Sequence, residues 1–276
     1  MIEPDDERMR ATVREQWTGP DRERVSDLVA REEPLELRIA GVPIAVVMRT
    51  PGHDLELARG FAITERIVES PAAITAVRHC DRVEDPDAED NVVQIVLDPA
   101  VEVDLAKLRR NIFTTSSCGV CGKASIAAAM GTAPPVEATW TVPIDLLRAL
   151  PDRLRAGQEV FSKTGGLHGA ALFDRTGVLL EVREDVGRHN AVDKLVGWAT
   201  QNVPWPLRDC VLVVSGRVSF EIVQKAVAAR IAVIVAVSAP SSLAVEFAEQ
   251  SAVTLVGFTR GDRAGVYSCA WRVTAT

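Results

Sequence analysis

Two cysteines separated by two residues, Cys118 and Cys121, stand in the stretch NIFTTSSCGVCGKAS. Arg109 and Arg110 precede them and Lys123 follows, and positive neighbours stabilise a thiolate. Thiolate is the nucleophile in sulfur chemistry. Such a cysteine could attack a persulfide on a donor, carry the outer sulfur, and release it when the second cysteine or an acceptor attacks. The surrounding Ser, Thr and Gly favour an accessible loop. The same spacing also fits a dithiol redox centre, which would place the pair at the start of a helix after a strand. It fits half of a zinc site as well, but there is no second Cys-x-x-Cys, and the other cysteines and four histidines show no ligand spacing. A zinc deaminase needs His-x-Glu before its cysteines, whereas His168 follows them and is itself followed by Gly169-Ala170.

A second group of residues suits anions. Three short segments each follow an apolar run: Ser215-Gly216-Arg217, Ser238-Ala239-Pro240-Ser241-Ser242, and Phe258-Thr259-Arg260-Gly261-Asp262-Arg263. They combine hydroxyl residues, Gly or Pro turns and arginine, whose planar fork matches a phosphate. Phe258 could stack on a base, although an aromatic at a strand end also suits a core. Asp262 and Glu246 could pair the arginines in a solvated loop instead. His168 lies in a glycine-dense turn entering a strand, and His189 opens a helix after Glu184-Asp185-Val186-Gly187. Either histidine could belong to a site or to an ordinary turn and cap.

These segments need a scaffold, and the last hundred or so residues supply it. GVLLEV leads to a helix from about Arg188 to Trp198, VLVVS to SFEIVQKAVAA, AVIVAV to SSLAVEFAEQS, and VTLVGF follows. Strands alternating with helices predict right-handed crossovers and a mainly parallel sheet covered on both faces. Ligands in such sheets sit beyond the carboxyl ends of the strands, where all three anion-suited segments fall. Upstream, LELRIAGVPIAVVMRT predicts a hairpin and DLELARGFAITERIV a helix with Asp54 as N-cap, followed by a strand in NVVQIVLDPAVEV. SIAAAMG suits a short helix, and PIDLLRALPDRLRAGQEVF a longer one broken at Pro151. The chain divides into a charged tail over residues 1–25, mobile or loosely helical, a smaller α/β portion over 26–110, and an α/β core over 111–276 with the cysteine loop at 114–124.

Composition narrows the function classes. With 276 residues, 47% of them hydrophobic, the chain can bury a substantial core. A net charge of -7 gives no global attraction for nucleic acid or anionic lipid, so an anion site must be local. The longest apolar run, Ile231–Val237, is strand-sized, and no membrane span is expected. The N-terminus lacks the apolar run of a secretory signal, which makes cytoplasmic residence the default. Five cysteines, an odd number, argue for reduced thiols; Cys80, Cys210 and Cys269 read as packing residues.

Taken in order, Arg49-Thr50-Pro51-Gly52 with Asp54, Leu57-Ala58-Arg59-Gly60-Phe61, Ser117-Cys118-Gly119-Val120-Cys121-Gly122, Thr164-Gly165-Gly166-Leu167-His168, Glu184 through Lys194, Ser215-Gly216-Arg217 and Ala239-Pro240-Ser241-Ser242-Leu243-Ala244 resemble the signatures of the FdhD family. The resemblance runs from about residue 35 to the C-terminus. It implies a sulfurtransferase that accepts sulfur from a cysteine desulfurase and passes it to the molybdenum bis(molybdopterin guanine dinucleotide) cofactor, bound as cargo, before insertion into the formate dehydrogenase catalytic subunit. Cys118 would carry the persulfide and Cys121 would assist. Phe258 through Arg263 would match the cofactor-binding segment, with Ser215 and Arg217 beside it. A cytidine-deaminase-like three-layer core without zinc, and a homodimer, are also implied. A non-catalytic cofactor chaperone and a dithiol oxidoreductase remain as alternatives.

Overall fold

The computed structural model describes residues 6–80, 90–104 and 134–275. It is a mixed α/β fold with several sheets. Met9–Thr18 (β1) and Asp21–Ala30 (β2) form an antiparallel hairpin, where the sequence suggested a tail or a helix. Gly19, with φ of 62°, and Pro20 supply its two-residue turn. Most of its residues are exposed, so there is little of the in-and-out alternation that marks a half-buried strand.

Glu33–Ile39 (β3) and Val42–Arg49 (β4) form the expected hairpin, closed by Ala40-Gly41 with both φ angles positive, as a type I′ turn requires. Asp54–Thr64 (α1) follows. Its N-cap is His53 rather than Asp54, because the Asp54 carboxylate is held by the buried Arg49 guanidinium in two bonds of 2.9 and 2.7 Å. Ile74–His79 (β5) and Val92–Leu97 (β6) complete a four-stranded sheet in the order β4-β3-β6-β5.

After the short Val142–Pro143 (β7) come Ile144–Ala156 (α2) and Glu159–Thr164 (α3). The expected break at Pro151 does not occur. Burial of Leu147, Leu150 and Leu154 on one helical face outweighs the single hydrogen bond that proline withholds. The expected short helix in SIAAAMG lies outside the described residues.

The larger sheet contains His168–Asp174 (β8), Leu179–Asp185 (β9), Cys210–Val214 (β10), Val233–Ala236 (β11), Thr254–Arg260 (β12) and Arg263–Ser268 (β13), in the order β13-β12-β11-β10-β8-β9. Arg188–Asn202 (α4), Phe220–Ala228 (α5) and Ser242–Gln250 (α6) connect them, and Val273–Thr274 (β14) pairs with β7. The expectation of a mainly parallel sheet is corrected: only β10–β11 and β11–β12 are parallel. Helical crossovers α5 and α6 make those two pairs. Tight turns after β8 and β12 force antiparallel neighbours, and the strand over Arg263–Ser268 is one that the sequence reading passes over. Every residue of β10 and β11 is buried, which for alternating side chains requires cover on both faces. Among the described residues no helix is long and apolar enough to cross a membrane.

Helices α1 and α4 join the two sheets at a glycine crossing. A Cβ on Gly60 would stand 1.8 Å from the Asp193 carbonyl oxygen, and one on Gly197 would stand 1.8 Å from that of Glu56. Rigid backbone on both sides leaves no room to yield. Gly197→Ala is therefore expected to destabilise the fold by about 3 kcal/mol, read as a lower urea midpoint. An unchanged midpoint would show that the helices can part freely.

Candidate functional site

The carboxyl ends of β10, β11 and β12 carry the three anion-suited segments, and backbone bonds tie them into one edge. The Ser215 hydroxyl accepts from the Gly169 amide at 2.9 Å, while the Ser215 amide donates to the Gly169 carbonyl at 3.0 Å. Val218 N–H donates to the Ala239 carbonyl, Ser241 N–H to the Val218 carbonyl, and Phe258 N–H to the Ser238 carbonyl. All three expected segments thus meet in space.

Within the third segment, β12 and β13 form a hairpin whose turn is Gly261-Asp262. Gly261 has φ of 56° at the first turn position, as a type II′ turn requires. A register shift between Gly257 and Arg260 bends the strand, and Phe258, with φ of 51°, is 55% exposed rather than part of the core. Arg260, Asp262 and Arg263 are exposed. Neither arginine makes an ion pair with Asp262 or Glu246 among the described residues, so the solvated-pair reading fails. Thr259 turns inward and is fully buried, its hydroxyl without a partner among the described residues. Ser215 is half-buried and ties the edge together, and Arg217 is exposed.

Both histidines reach the same edge. His168 opens β8 opposite Asp185, and its Nδ1 lies 3.2 Å from where a Gly216 side chain would begin. Burial lowers its pKa, helped by the charges of Arg188 and Arg217. His189 Nε2 lies 3.5 Å from the Ser219 hydroxyl and 3.9 Å from the Glu221 carboxylate. Burial, with Lys225 and Arg188 adding to it, lowers the His189 pKa to about 4. Both rings are neutral at pH 7. Because the folded state refuses a proton that the unfolded chain accepts, His189 makes stability fall as pH drops from 6.5 towards 4. A third of its side chain is exposed, which reduces the effect to roughly 1–2 kcal/mol. His189→Gln should flatten the dependence of the urea midpoint on pH across that window; an unaltered slope would assign it to other groups.

Two buried charge networks hold this edge in place, and the sequence reading missed both. Asp185 accepts from the amides of Thr50 and Gly187 at 3.1 and 2.8 Å, from Asn190 Nδ2 at 3.0 Å and from Lys194 Nζ at 2.8 Å. Deeper in, Lys225 Nζ bonds both Asp193 oxygens at 2.9 Å, Thr64 Oγ1 at 3.1 Å and Glu65 at 2.8 Å. Burial raises Asp193 to about 6, and its carboxylate neighbours raise the buried Lys225 despite desolvation. The sequence signal is charge on the apolar faces of helices, in Asp193-Lys194 and Lys225. Cys118 and Cys121, with Arg109, Arg110 and Lys123, lie outside the described residues.

A scan against family models matches residues 30–274 to the FdhD/NarQ family. The chain belongs to the FdhD/NarQ family. Two curated relatives carry the name "Sulfur carrier protein FdhD". That from Streptomyces coelicolor is 52% identical over 255 residues, covering 90% of this chain and 89% of its own. That from Mycobacterium bovis is 49% identical over 254 residues, covering 90% and 92%. A solved structure described as a formate dehydrogenase accessory protein, from Desulfotalea psychrophila, superposes with a TM-score of 0.74 at 20% identity. It covers 96% of this chain and 99% of its own, and at that identity shows a shared fold. The FdhD signatures Arg49–Asp54 and Glu184–Lys194 are the two segments that the Asp185 network joins: Lys194 Nζ also donates to the Thr50 carbonyl at 2.7 Å, and Val186 N–H to the Thr50 hydroxyl at 3.2 Å.

Proposed function

We propose that this FdhD-family chain is a sulfur carrier for formate dehydrogenase maturation, acting as a cytoplasmic sulfurtransferase. The Cys118 thiolate attacks the outer sulfur of a cysteine desulfurase persulfide. A Cys118–sulfur bond forms, the donor sulfur–sulfur bond breaks, and the desulfurase cysteine leaves as thiolate. The carried sulfur then passes to the molybdenum bis(molybdopterin guanine dinucleotide) cofactor, bound as substrate. Where Cys121 drives release, it attacks the inner sulfur, hydrosulfide leaves, and the resulting disulfide is reopened by a thiol reductant. The cargo passes onward to the formate dehydrogenase catalytic subunit, and a homodimer is the working form. The six-stranded sheet is read as a deaminase-like core adapted to this use.

The observation that carries this reading is one sheet edge presenting an exposed aromatic, Phe258, beside Arg217, Arg260 and Arg263, none of them paired with a described carboxylate. Phe258 offers a face for guanine, and the arginines offer forks for its phosphates. Incubation with a desulfurase and labelled cysteine tests the relay. Label held on the chain and released to the cofactor supports it. Absence of label with the cofactor still bound would identify a non-catalytic chaperone, and rapid insulin reduction a dithiol oxidoreductase.

A further inference from the structure

In a chain of net charge -7, the surroundings of His168 are locally positive. The β8–β9 register puts His168 opposite Asp185, three residues before Arg188 at the start of α4. The double bond pair between Gly169 and Ser215 brings His168 against the loop that carries Arg217. Its ring lies over Gly216, where any side chain would crowd it. Arg188 and Arg217 reach this point from different elements, and both charges act on His168.

Neither arginine has a hydrogen bond or ion pair with a described residue. Arg188 Nε is buried and unpartnered, although a buried guanidinium nitrogen ordinarily finds an acceptor. The carboxylates in this region are already engaged. Asp185 holds Lys194 at 2.8 Å, Glu184 accepts from the amides of Val160 and Phe161 at 2.9 and 2.8 Å, and Glu221 faces His189. Helix α4 adds its own positive end: its N-cap is Gly187, which has no side chain to occupy the first-turn amides, and its first turn contains no acid. Two free guanidinium forks and a neutral imidazole able to donate match two adjacent phosphates, each fork taking one bidentately.

We propose that His168, Arg188 and Arg217 form a diphosphate subsite for the nucleotide part of the substrate, next to the Phe258–Arg263 hairpin that takes the base. This rests on the nucleotide reading above. It adds His168 and Arg188, and it separates phosphate recognition from base recognition along the edge.

Calorimetric titration of the full chain with inorganic pyrophosphate and with GDP, at two salt concentrations, tests the subsite. Arg188→Gln and Arg217→Gln are each expected to weaken both probes about tenfold or more, and to lessen the loss of affinity with salt. Phe258→Ala should weaken GDP and spare pyrophosphate. Should Arg188→Gln fail to fold, Arg188→Lys keeps the charge without the fork and should still bind both probes more weakly than wild type. GDP binding unchanged in both glutamine variants would overturn the subsite while leaving the nucleotide reading intact. Pyrophosphate held as tightly as GDP, and lost with Arg188, would keep the subsite and remove the guanine reading. Failure of the wild-type chain to bind either probe would overturn both.

Discussion

Cys118→Ala will transfer no sulfur above background, a loss of at least about a thousandfold, while its GDP affinity stays within about twofold of wild type. The loss is that large because no other thiol can stand in. Cys210 is buried and its pKa is pushed up to about 12, so it holds almost no thiolate at pH 7. Cys269 is also buried and raised, chiefly by burial with Glu249 adding to it. Cys80 is half-buried at the end of β5, far in sequence from the residues that meet at the edge. Affinity survives because base and phosphate contacts come from the ends of β10 and β12 and the start of α4, not from the cysteine segment. Transfer assays run beside GDP titration check both halves. Equal loss of transfer and affinity would show that the thiols also form part of the nucleotide site.

Asp185→Ala will cost about 3–5 kcal/mol of stability, measured by urea denaturation. The Asp185 carboxylate is completely buried and accepts from four donors, of which Lys194 is only 1% exposed. Removing it leaves an ammonium in the interior with only the Thr50 carbonyl at 2.7 Å, and strands two backbone amides. Asp185→Asn should cost less, since the amide keeps one acceptor for Lys194 but turns a donor towards another donor. The network ties the end of β4 to the start of α4, so Asp185→Ala should also loosen Arg188 and weaken pyrophosphate binding. A stable Asp185→Ala chain would mean that these four bonds are replaced by water or rearranged partners.

Much of this edge is legible in the sequence because strand and helix periods alternate cleanly from β9 to β12, and each turn after a strand is marked by Ser, Gly or Pro. The expected placement of Ser215, Arg217 and Phe258 through Arg263 at one edge follows from that pattern alone. What escapes is set by pairing over distance. Antiparallel addition of β8 and β13 depends on short turns whose consequences for strand direction the periodicity does not carry. The β1–β2 hairpin escapes because charge on both of its faces hides the alternation. Thr259 points inward because of a bulge, which no composition rule foretells. The Asp193–Lys225 and Asp185–Lys194 pairs read as ordinary helix charges until the helices are packed. Arg188 reads as a family residue without a role until its neighbours are known to be unpaired.

The sulfur-carrier claim is tested most directly by the mass of the Cys118-containing peptide after incubation with a cysteine desulfurase and cysteine. One added sulfur atom on Cys118, removed by a thiol reductant and absent from Cys118→Ala, is the result expected. A peptide of unmodified mass, obtained while the same preparation still binds GDP, would contradict it.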